Sequence, residues 1–483
     1  MAGHQRRADP ARRAAYDALR AVAQRDAYAN LLLPAMLADR GLAGRDAALA
    51  TELAYGTLRG QGSYDAILDV CSDRPVARID AALRDVLRLG VHQLLATRIP
   101  AHAAVAASVD LAKDVAGARP AGFVNAVLRK VATRDLDAWL EIVAPSRAQD
   151  WAGHLAVRYS HPRWVVEAMA AALGEEMPGA AGLAETEALL AADNIRPGVT
   201  LLAKPGLVAP GELAAAGATP ARWSPYGAYL KEGNPADVPA VADGRAAVQD
   251  EASQLAAAAL ADVPVTGPDR VWLDMCAGPG GKASLLAGLA AARGARLVAA
   301  DVQPHRAALA RSAMARSATV RAAPGRSSMA GRSPGGAGRA IVADGTAAPW
   351  RPGCFDRVLA DVPCSGLGAL RRRPEARWRR SPRDVAALGP LQRRLLTAAL
   401  VSARPGGVVA YITCSPHVAE TRDVVDDVIA RIPGVSVLDA PEALAEVPEL
   451  GAPCPRSVPG AYAQFWPHRH GTDAIFLALL RRE

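Results

Sequence analysis

The chain has 483 residues, enough for two or three domains with sizeable cores. Its formal net charge of +8 is almost entirely arginine, which suits phosphate binding because guanidinium pairs bidentately with phosphate oxygens, although a general Ala/Arg bias would give the same charge. Six cysteines without a C-x-x-C argue against a zinc or disulfide framework, and a charged start (Met1 to Arg13) with no long apolar run argues against a signal peptide or membrane span, so the expectation is a reducing cytoplasm, no metal and no membrane partner.

Residues 1–133 are predicted to be all-helical. Ala11 to Gln24 carries Ala15, Leu19 and Val22 at helical spacing. Arg45 to Arg59, Tyr64 to Val70, Ile79 to Leu95, Ala103 to Val115 and Phe123 to Val131 follow, with Gly and Pro breaks between them, and together read as a helical bundle. Arg6, Arg7, Arg12, Arg13 and Arg20 give its start a basic face, although a charge run is most often a solvated helix surface. Residues 134–247 read as a connector. It is helical from Asp135 to about Ala192, with a turn at Tyr159 to Trp164 that stops one helix and starts another. From Asn194 to about Gln249, short apolar pieces such as Val199 to Leu202 alternate with Pro and Gly, which predicts a small α+β segment.

Residues 248–483 are expected to form an α/β domain. A helix, Ser253 to Leu260, leads into an apolar run ending at Asp274. That run continues into Cys276, Ala277, Gly278, Pro279, Gly280, Gly281 and Lys282, then into a helical Ala283 to Ala292. Strand, glycine turn and helix open a nucleotide site in a doubly wound sheet, because the glycines let backbone N–H groups approach a ligand. A phosphate-binding P-loop is excluded, since Ala283 stands where Ser or Thr belongs, and the G-x-G-x-x-G spacing is missing. An adenosine-type ligand without a long phosphate tail, S-adenosylmethionine, fits better, with other Rossmann-like ligands left open by the turn alone. A second run, Arg296 to Ala300, ends at Asp301, placed to accept hydrogen bonds from a ribose. Residues 318–338 are rich in Gly, Ser, Arg, Ala and Pro without periodicity and read as a flexible surface insertion. Strands are predicted at Arg339 to Ala343 before Asp344, Arg357 to Ala360 before Asp361, Val408 to Thr413 and Asp473 to Leu480. Acids at the carboxyl ends of parallel strands share one rim.

Two thiols follow strand ends, in Asp361-Val-Pro-Cys364-Ser-Gly366 and Thr413-Cys414-Ser-Pro416, so both could reach one pocket on that rim. Cysteine is commonly a small buried hydrophobe, which suits Cys71 and Cys354; Cys364 and Cys414 sit beside Ser and Pro in turns and suit it less. Cys276 reads as packing or backbone placement. Arg371, Arg372, Arg373, Arg377, Arg379 and Arg380, with Trp378 among them, suit an unpaired RNA base, arginines holding phosphates and the ring stacking; a solvated basic loop with a core Trp is the bland alternative.

The strings Cys276 to Lys282, Asp361 to Gly366 and Tyr411 to Ser415 resemble the motif set of the RNA cytosine-5 methyltransferases. The helical block resembles the NusB-type RNA-binding domain in Ala54 to Arg59, Leu87 to Leu95, Ile99-Pro100 and Phe123 to Arg129. Leu370 to Glu375, Gln392 to Leu396 and Pro467 to Asp473 extend the likeness, and the whole chain is similar to the bacterial 16S ribosomal-RNA methyltransferases of the RsmB (Sun/Fmu) type. The resemblance implies an N-terminal all-α NusB-like domain, a connector and a Rossmann-like methyltransferase domain, acting as a monomer on 16S rRNA or a small-subunit precursor. It implies that residues 276–282, Asp301 (ribose), Asp344 (adenine) and Asp361 surround S-adenosylmethionine, that Cys414 is the nucleophile and that Cys364 assists product release. Asp361 is then also placed near cytosine N3. The alternatives are the same chemistry on transfer RNA, or a non-catalytic RNA-binding factor with a degenerate methyltransferase fold, which the two intact cysteine motifs disfavour.

Overall fold

Helix α1 (Pro10–Arg25) buries Ala11, Ala15, Leu19 and Val22 along one stripe, the face its apolar spacing predicts. It opens the first of two compact units in the computed structural model, which describes residues 8–25, 27–174, 179–315, 338–445, 447 and 461–483. This helical unit comprises Met1–Glu167, Leu183–Ile195 and Leu370–Arg379. Helices α2 (Ala29–Asp39), α3 (Gly44–Cys71), α4 (Ala81–Ala96), α5 (Ala101–Ala116) and α6 (Ala121–Val131) share its core, in which Leu53, Ile67, Leu87, Leu111 and Leu128 are buried. Asp80 caps α4 by accepting from the Ala82 and Leu83 amides.

Two features differ from the sequence reading. The predicted segments Arg45 to Arg59 and Tyr64 to Val70 are one helix, α3, running through Gly60 and Gly62. Those glycines make room for rings: a Cβ on Gly60 would strike Tyr64, and one on Gly62 would lie 2.5 Å from the Trp378 ring. Helix α2 was not predicted, because Pro34 lies inside it and exposed Leu31 blurs its stripe. Helices continue past residue 133 as α7 (Leu136–Val143), α8 (Trp151–Arg158), α9 (Arg163–Ala172) and α10 (Ala180–Asp193). Trp139 on α7 is buried and donates its ring N–H to the Val131 carbonyl. The predicted turn falls between α8 and α9, with Ser160 at φ 57° and its Oγ accepting the Gly62 amide at 2.9 Å.

The second unit holds two sheets. A small antiparallel sheet, ordered β2-β3-β1-β4, is built from β1 (Val199–Ala203), β2 (Ala218–Pro220), β3 (Gly227–Leu230) and β4 (Ala246–Val248), with a single turn α11 (Pro239–Ala242) beside it. Helix α12 (Glu251–Asp262), capped by Asp250, follows. The large sheet begins with β5 (Val271–Asp274), α13 (Gly281–Ala292), β6 (Arg296–Asp301), α14 (Pro304–Ala315), β7 (Gly338–Val342) and β8 (Phe355–Asp361). After the one-turn α15 (Ala376–Arg379) come α16 (Pro382–Ser402), β9 (Ala403–Thr413), α17 (Arg422–Ile429), β10 (Val435–Leu438), β11 (Ala463–Gln464), α18 (Pro467–His470) and β12 (Phe476–Arg482). The strand order is β10-β12-β9-β8-β5-β6-β7, with β11 paired to β12. Strands β5 to β9 pair in parallel and β12 is antiparallel to β9. The chain leaves β5 toward β6 and β7, then returns to its other side with β8, so the switch point lies between β5 and β8, where such sheets bind ligands. The sequence reading missed β10, a half-buried edge strand, and the two-residue β11. Of the predicted insertion, all but Gly338 lies outside the described residues.

The arginine-rich string is placed differently from its predicted role. Residues 370–379 belong to the helical unit, and Arg371 and Arg377 are buried there. Arg377 donates to the Ser160 carbonyl at 3.0 Å and to Asn194 Oδ1 at 2.8 Å. Burial pulls its pKa down to about 10 against the raising influence of Asp193, with Arg59 adding to the fall and Glu375 opposing it. Arg379 donates to the Val22 carbonyl, and Glu375 accepts the Ala29 amide at 3.1 Å. Trp378 packs on Gly62. These residues hold the bundle together; of the other arginines, Arg373 is exposed with its guanidinium over the Tyr28 ring, and Arg372 and Arg380 are half-buried, Arg380 donating to the Ser365 carbonyl at 3.2 Å.

Candidate active site

Past Asp274 the chain keeps pairing with its neighbours: the Met275 amide donates to Leu359 O and the Ala277 amide to Ala300 O. The glycine turn then presses against β6 and α14. The Gly278 amide donates to Asp301 Oδ2 at 3.0 Å, and a Cβ on Gly278 would lie 2.5 Å from that oxygen. Gly280 has φ 112°, and a Cβ there would lie 2.8 Å from the Ala310 backbone. Both positions therefore require glycine. Asp301 is buried and its second oxygen accepts the Gln303 amide at 2.9 Å.

The four acids have four different surroundings. Asp274 is buried, and neither carboxylate oxygen has a hydrogen-bond partner among the described residues. Burial, then the charge of Asp361, pushes its pKa up to about 8, while Lys282 and the Cys276 amide oppose the rise. Asp361 is partly exposed and forms a 2.8 Å ion pair with Lys282, tying the glycine turn to the end of β8. Burial disfavours the Lys282 charge, but Asp361 outweighs it and holds the ammonium above its ordinary range. Asp344 is exposed just past β7 and bonds the amide and hydroxyl of Thr346 at 2.8 and 2.7 Å, contacts that hold its pKa below the usual carboxylate range.

The two thiols are brought together. Asp361 on β8 is in register with Ile412 on β9, and beyond these strand ends Cys364 Sγ lies 3.2 Å from Cys414 Sγ. Cys364 is pushed well above its ordinary pKa, first by the hydrogen bond with Cys414, then by burial and by the charges of Cys414 and Glu420, against the lowering effect of the Gly366 amide. Cys276 is also raised, by burial and then by Asp274, Asp361 and Asp301, which keeps it a neutral packing group. Cys71 is buried as expected, whereas Cys354 is exposed, at the start of β8 rather than in the core. The sequence reading counted Asp274 only as one of four rim acids that suit a cationic or hydroxyl-rich ligand, and it passed over Glu420.

The glycine turn with Asp301 forms a close backbone cradle at the switch point. The acids Asp301 and Asp361 around it suit a ligand that carries positive charge, as S-adenosylmethionine does in its sulfonium and ammonium groups. Fold and site together define an S-adenosylmethionine-dependent methyltransferase. The family model described as 16S rRNA methyltransferase RsmB/F matches residues 263–481, and the NusB family model matches residues 9–133. A Mycobacterium tuberculosis protein whose name gives the methyltransferase class and no substrate is 50% identical over 98% of this chain and 97% of its own length. The ribosomal RNA small subunit methyltransferase B of Pseudomonas putida is 33% identical over 89% of this chain and 91% of its own. In fold, the chain is similar to the crystal structure of PH0851, with a TM-score of 0.74, 22% identity and 98% of each chain covered. The chain belongs to the RsmB/F family: it is an S-adenosylmethionine-dependent rRNA methyltransferase with a NusB-like helical domain. Among the described residues, no helix is long and apolar enough to cross a membrane.

Proposed function

We propose that this enzyme forms 5-methylcytosine in 16S rRNA or a small-subunit precursor, as a cytoplasmic monomer, through a covalent adduct between Cys414 and cytosine C6. The observation that carries the reading is the pair of thiols 3.2 Å apart at the rim of the cofactor cradle. Carbon 5 of cytosine is a poor nucleophile. Addition of a Cys414 thiolate to C6 turns the ring into an enamine whose C5 can attack an electrophile. Bound S-adenosylmethionine supplies the electrophilic methyl group. Residues 276–282, Asp301 and Asp344 hold it, with Asp301 on the ribose and Asp344 near the adenine. A proton donor at ring N3 stabilises the adduct, the part Asp361 plays in its protonated form. Once C5 carries the methyl group, a base removes its proton, the Cys414–C6 bond breaks and Cys364 assists this release. The helical domain, whose residues 9–133 match the NusB family, supplies further RNA contacts.

Two identical substitutions test the roles. Cys414→Ala should abolish both methyl transfer and any protein–RNA adduct. Cys364→Ala should methylate once and stall as a slow-migrating adduct on a denaturing gel. The reverse pattern would exchange the two roles, and adducts with neither variant would sink covalent catalysis. Bisulfite mapping of 16S rRNA and transfer RNA from a deletion strain identifies the substrate.

A further inference from the structure

Glu420 has no place in the chemistry above, yet it is fully buried beside it. It sits in a one-turn 3-10 helix, Val418–Glu420, six residues beyond Cys414. Its Oε1 accepts the Ser365 amide at 2.7 Å and the Gln392 side-chain amide at 3.2 Å, and its Oε2 accepts the Ser365 hydroxyl at 2.5 Å. The two amides must donate to Oε1, and the short contact at Oε2 has the length of a hydroxyl donating to a carboxylate. Ser365 directly follows Cys364, and its Oγ lies 3.1 Å from that of Ser415, which directly follows Cys414. With the Ser365 proton directed at Glu420, Ser415 must donate to Ser365. The Gln392 amide also donates to the Pro363 carbonyl at 2.9 Å, and the Tyr411 hydroxyl to the Glu420 carbonyl at 2.7 Å. One carboxylate thus gathers the residues on either side of Cys364 and the neighbour of Cys414.

We propose that Glu420 is the positioning residue of the thiol pair: its carboxylate fastens the turn carrying Cys364 to the strand end carrying Cys414, and its charge keeps their shared proton on Cys364. The proposal rests on the assignment of Cys414 as nucleophile and says how the two thiols become unequal. Geometry ties Cys364 to Glu420, which holds its turn through Ser365, and electrostatics separates the two thiols: the Glu420 charge disfavours an anionic Cys364, whereas the Lys282 ammonium is favoured by an anionic Cys414. Other groups acting here are Asp361, which pairs with Lys282; Arg380, which donates to the Ser365 carbonyl at 3.2 Å; Tyr411, kept neutral by burial and by the charge of Glu420 against Arg393; and His417, whose pKa burial lowers despite Glu420 and Asp423. A thiolate on Cys414 and a thiol on Cys364 is the state that attack on C6 needs. Removing the Glu420 charge lets the proton settle on either sulfur and loosens the turn.

The test uses the full-length enzyme with three variants and two readouts, methylation kinetics and iodoacetamide labelling of Cys364 against pH, followed by peptide mass spectrometry. Glu420→Gln keeps the shape and an acceptor but removes the charge. Its kcat should fall roughly 10²-fold, the scale of a small misplacement of reacting groups, while affinity for S-adenosylmethionine holds. Labelling of Cys364 should move to lower pH. Ser365→Ala should slow methylation but leave the labelling profile in place, because the Glu420 charge is retained. Wild-type kcat or an unmoved labelling profile in Glu420→Gln overturns the proposal; if that variant does not fold, wild-type kcat in Ser365→Ala overturns it instead. Labelling needs no turnover, so a wrong nucleophile assignment would show in the Cys414→Ala gel and leave the labelling shift intact.

Discussion

Glu420 and Asp274 are both carboxylates buried in the α/β unit, and their surroundings are opposite. Glu420 receives three hydrogen bonds from Ser365 and Gln392; Asp274 receives no well-formed one from the described residues, the Cys276 amide opposing its neutralisation only weakly. A buried charge without donors is costly unless it neutralises or finds a partner. The first carboxylate is therefore an internal fastening, complete within the protein. The second is held beside the cradle, where burial and the charge of Asp361 push its pKa up and favour its neutral form. Burial alone does not distinguish a group that builds a site from one that binds a ligand; the hydrogen-bond accounting does.

The sharpest break of this comparison is Asp274→Asn. If Asp274 meets the positive charge of S-adenosylmethionine, the variant should lose ~3–5 kcal/mol of cofactor affinity by calorimetry, the scale for stripping one partner from a buried charge pair. The same variant tests the pH side. The native pKa lies above the unfolded value, so between about pH 4 and 8 the native state binds more protons, and wild-type stability falls as pH rises through that window. Urea unfolding at pH 5 and pH 8 should show this loss in the wild type and a flatter profile in Asp274→Asn. Equal slopes would mean that Asp274 is satisfied after all.

A smaller effect is expected at Asp301, which already accepts the Gly278 and Gln303 amides and would add ribose bonds to them. Asp301→Ala should weaken cofactor binding by ~1.5–3 kcal/mol, and unchanged affinity would remove it from the ribose. The smallest effect is at exposed Asp344, whose contacts stay within its own turn. Asp344→Ala should cost ~0.5–1.5 kcal/mol in cofactor affinity and shift folding stability by less than ~0.5 kcal/mol, both measurable by calorimetry. A larger stability loss would place it with Glu420 among the internal fastenings.

The candidate site residues were legible because they stand in short contiguous strings at strand ends: the glycine turn and both cysteine turns. So were the parallel strands, as apolar runs closing on an acid. Glu420 was not legible, since its role comes from partners 55 and 28 residues away that sequence spacing does not bring together. The arginines of residues 371–379 misled for a related reason. Charge predicts solvent or phosphate, but Arg377 donates to a backbone carbonyl and an amide oxygen inside the bundle. Gly60 and Gly62 misled as helix breaks because the rings they accommodate, Tyr64 and Trp378, are invisible to local propensity.

The membership of residues 370–379 in the helical unit sets a timetable for the newborn chain. Helices α1 to α10 leave the ribosome first, but the partners of the Ala29 amide and the Val22 carbonyl arrive only with Glu375 and Arg379. At ~5–20 residues per second, synthesis from Ile195 to Leu370 lasts roughly 10–35 s. Through that interval the bundle must survive on its own apolar core, with Tyr28 lacking the guanidinium of Arg373 that later lies 4.7 Å from its ring centre. The part of the protein that is made first is among the last to be finished.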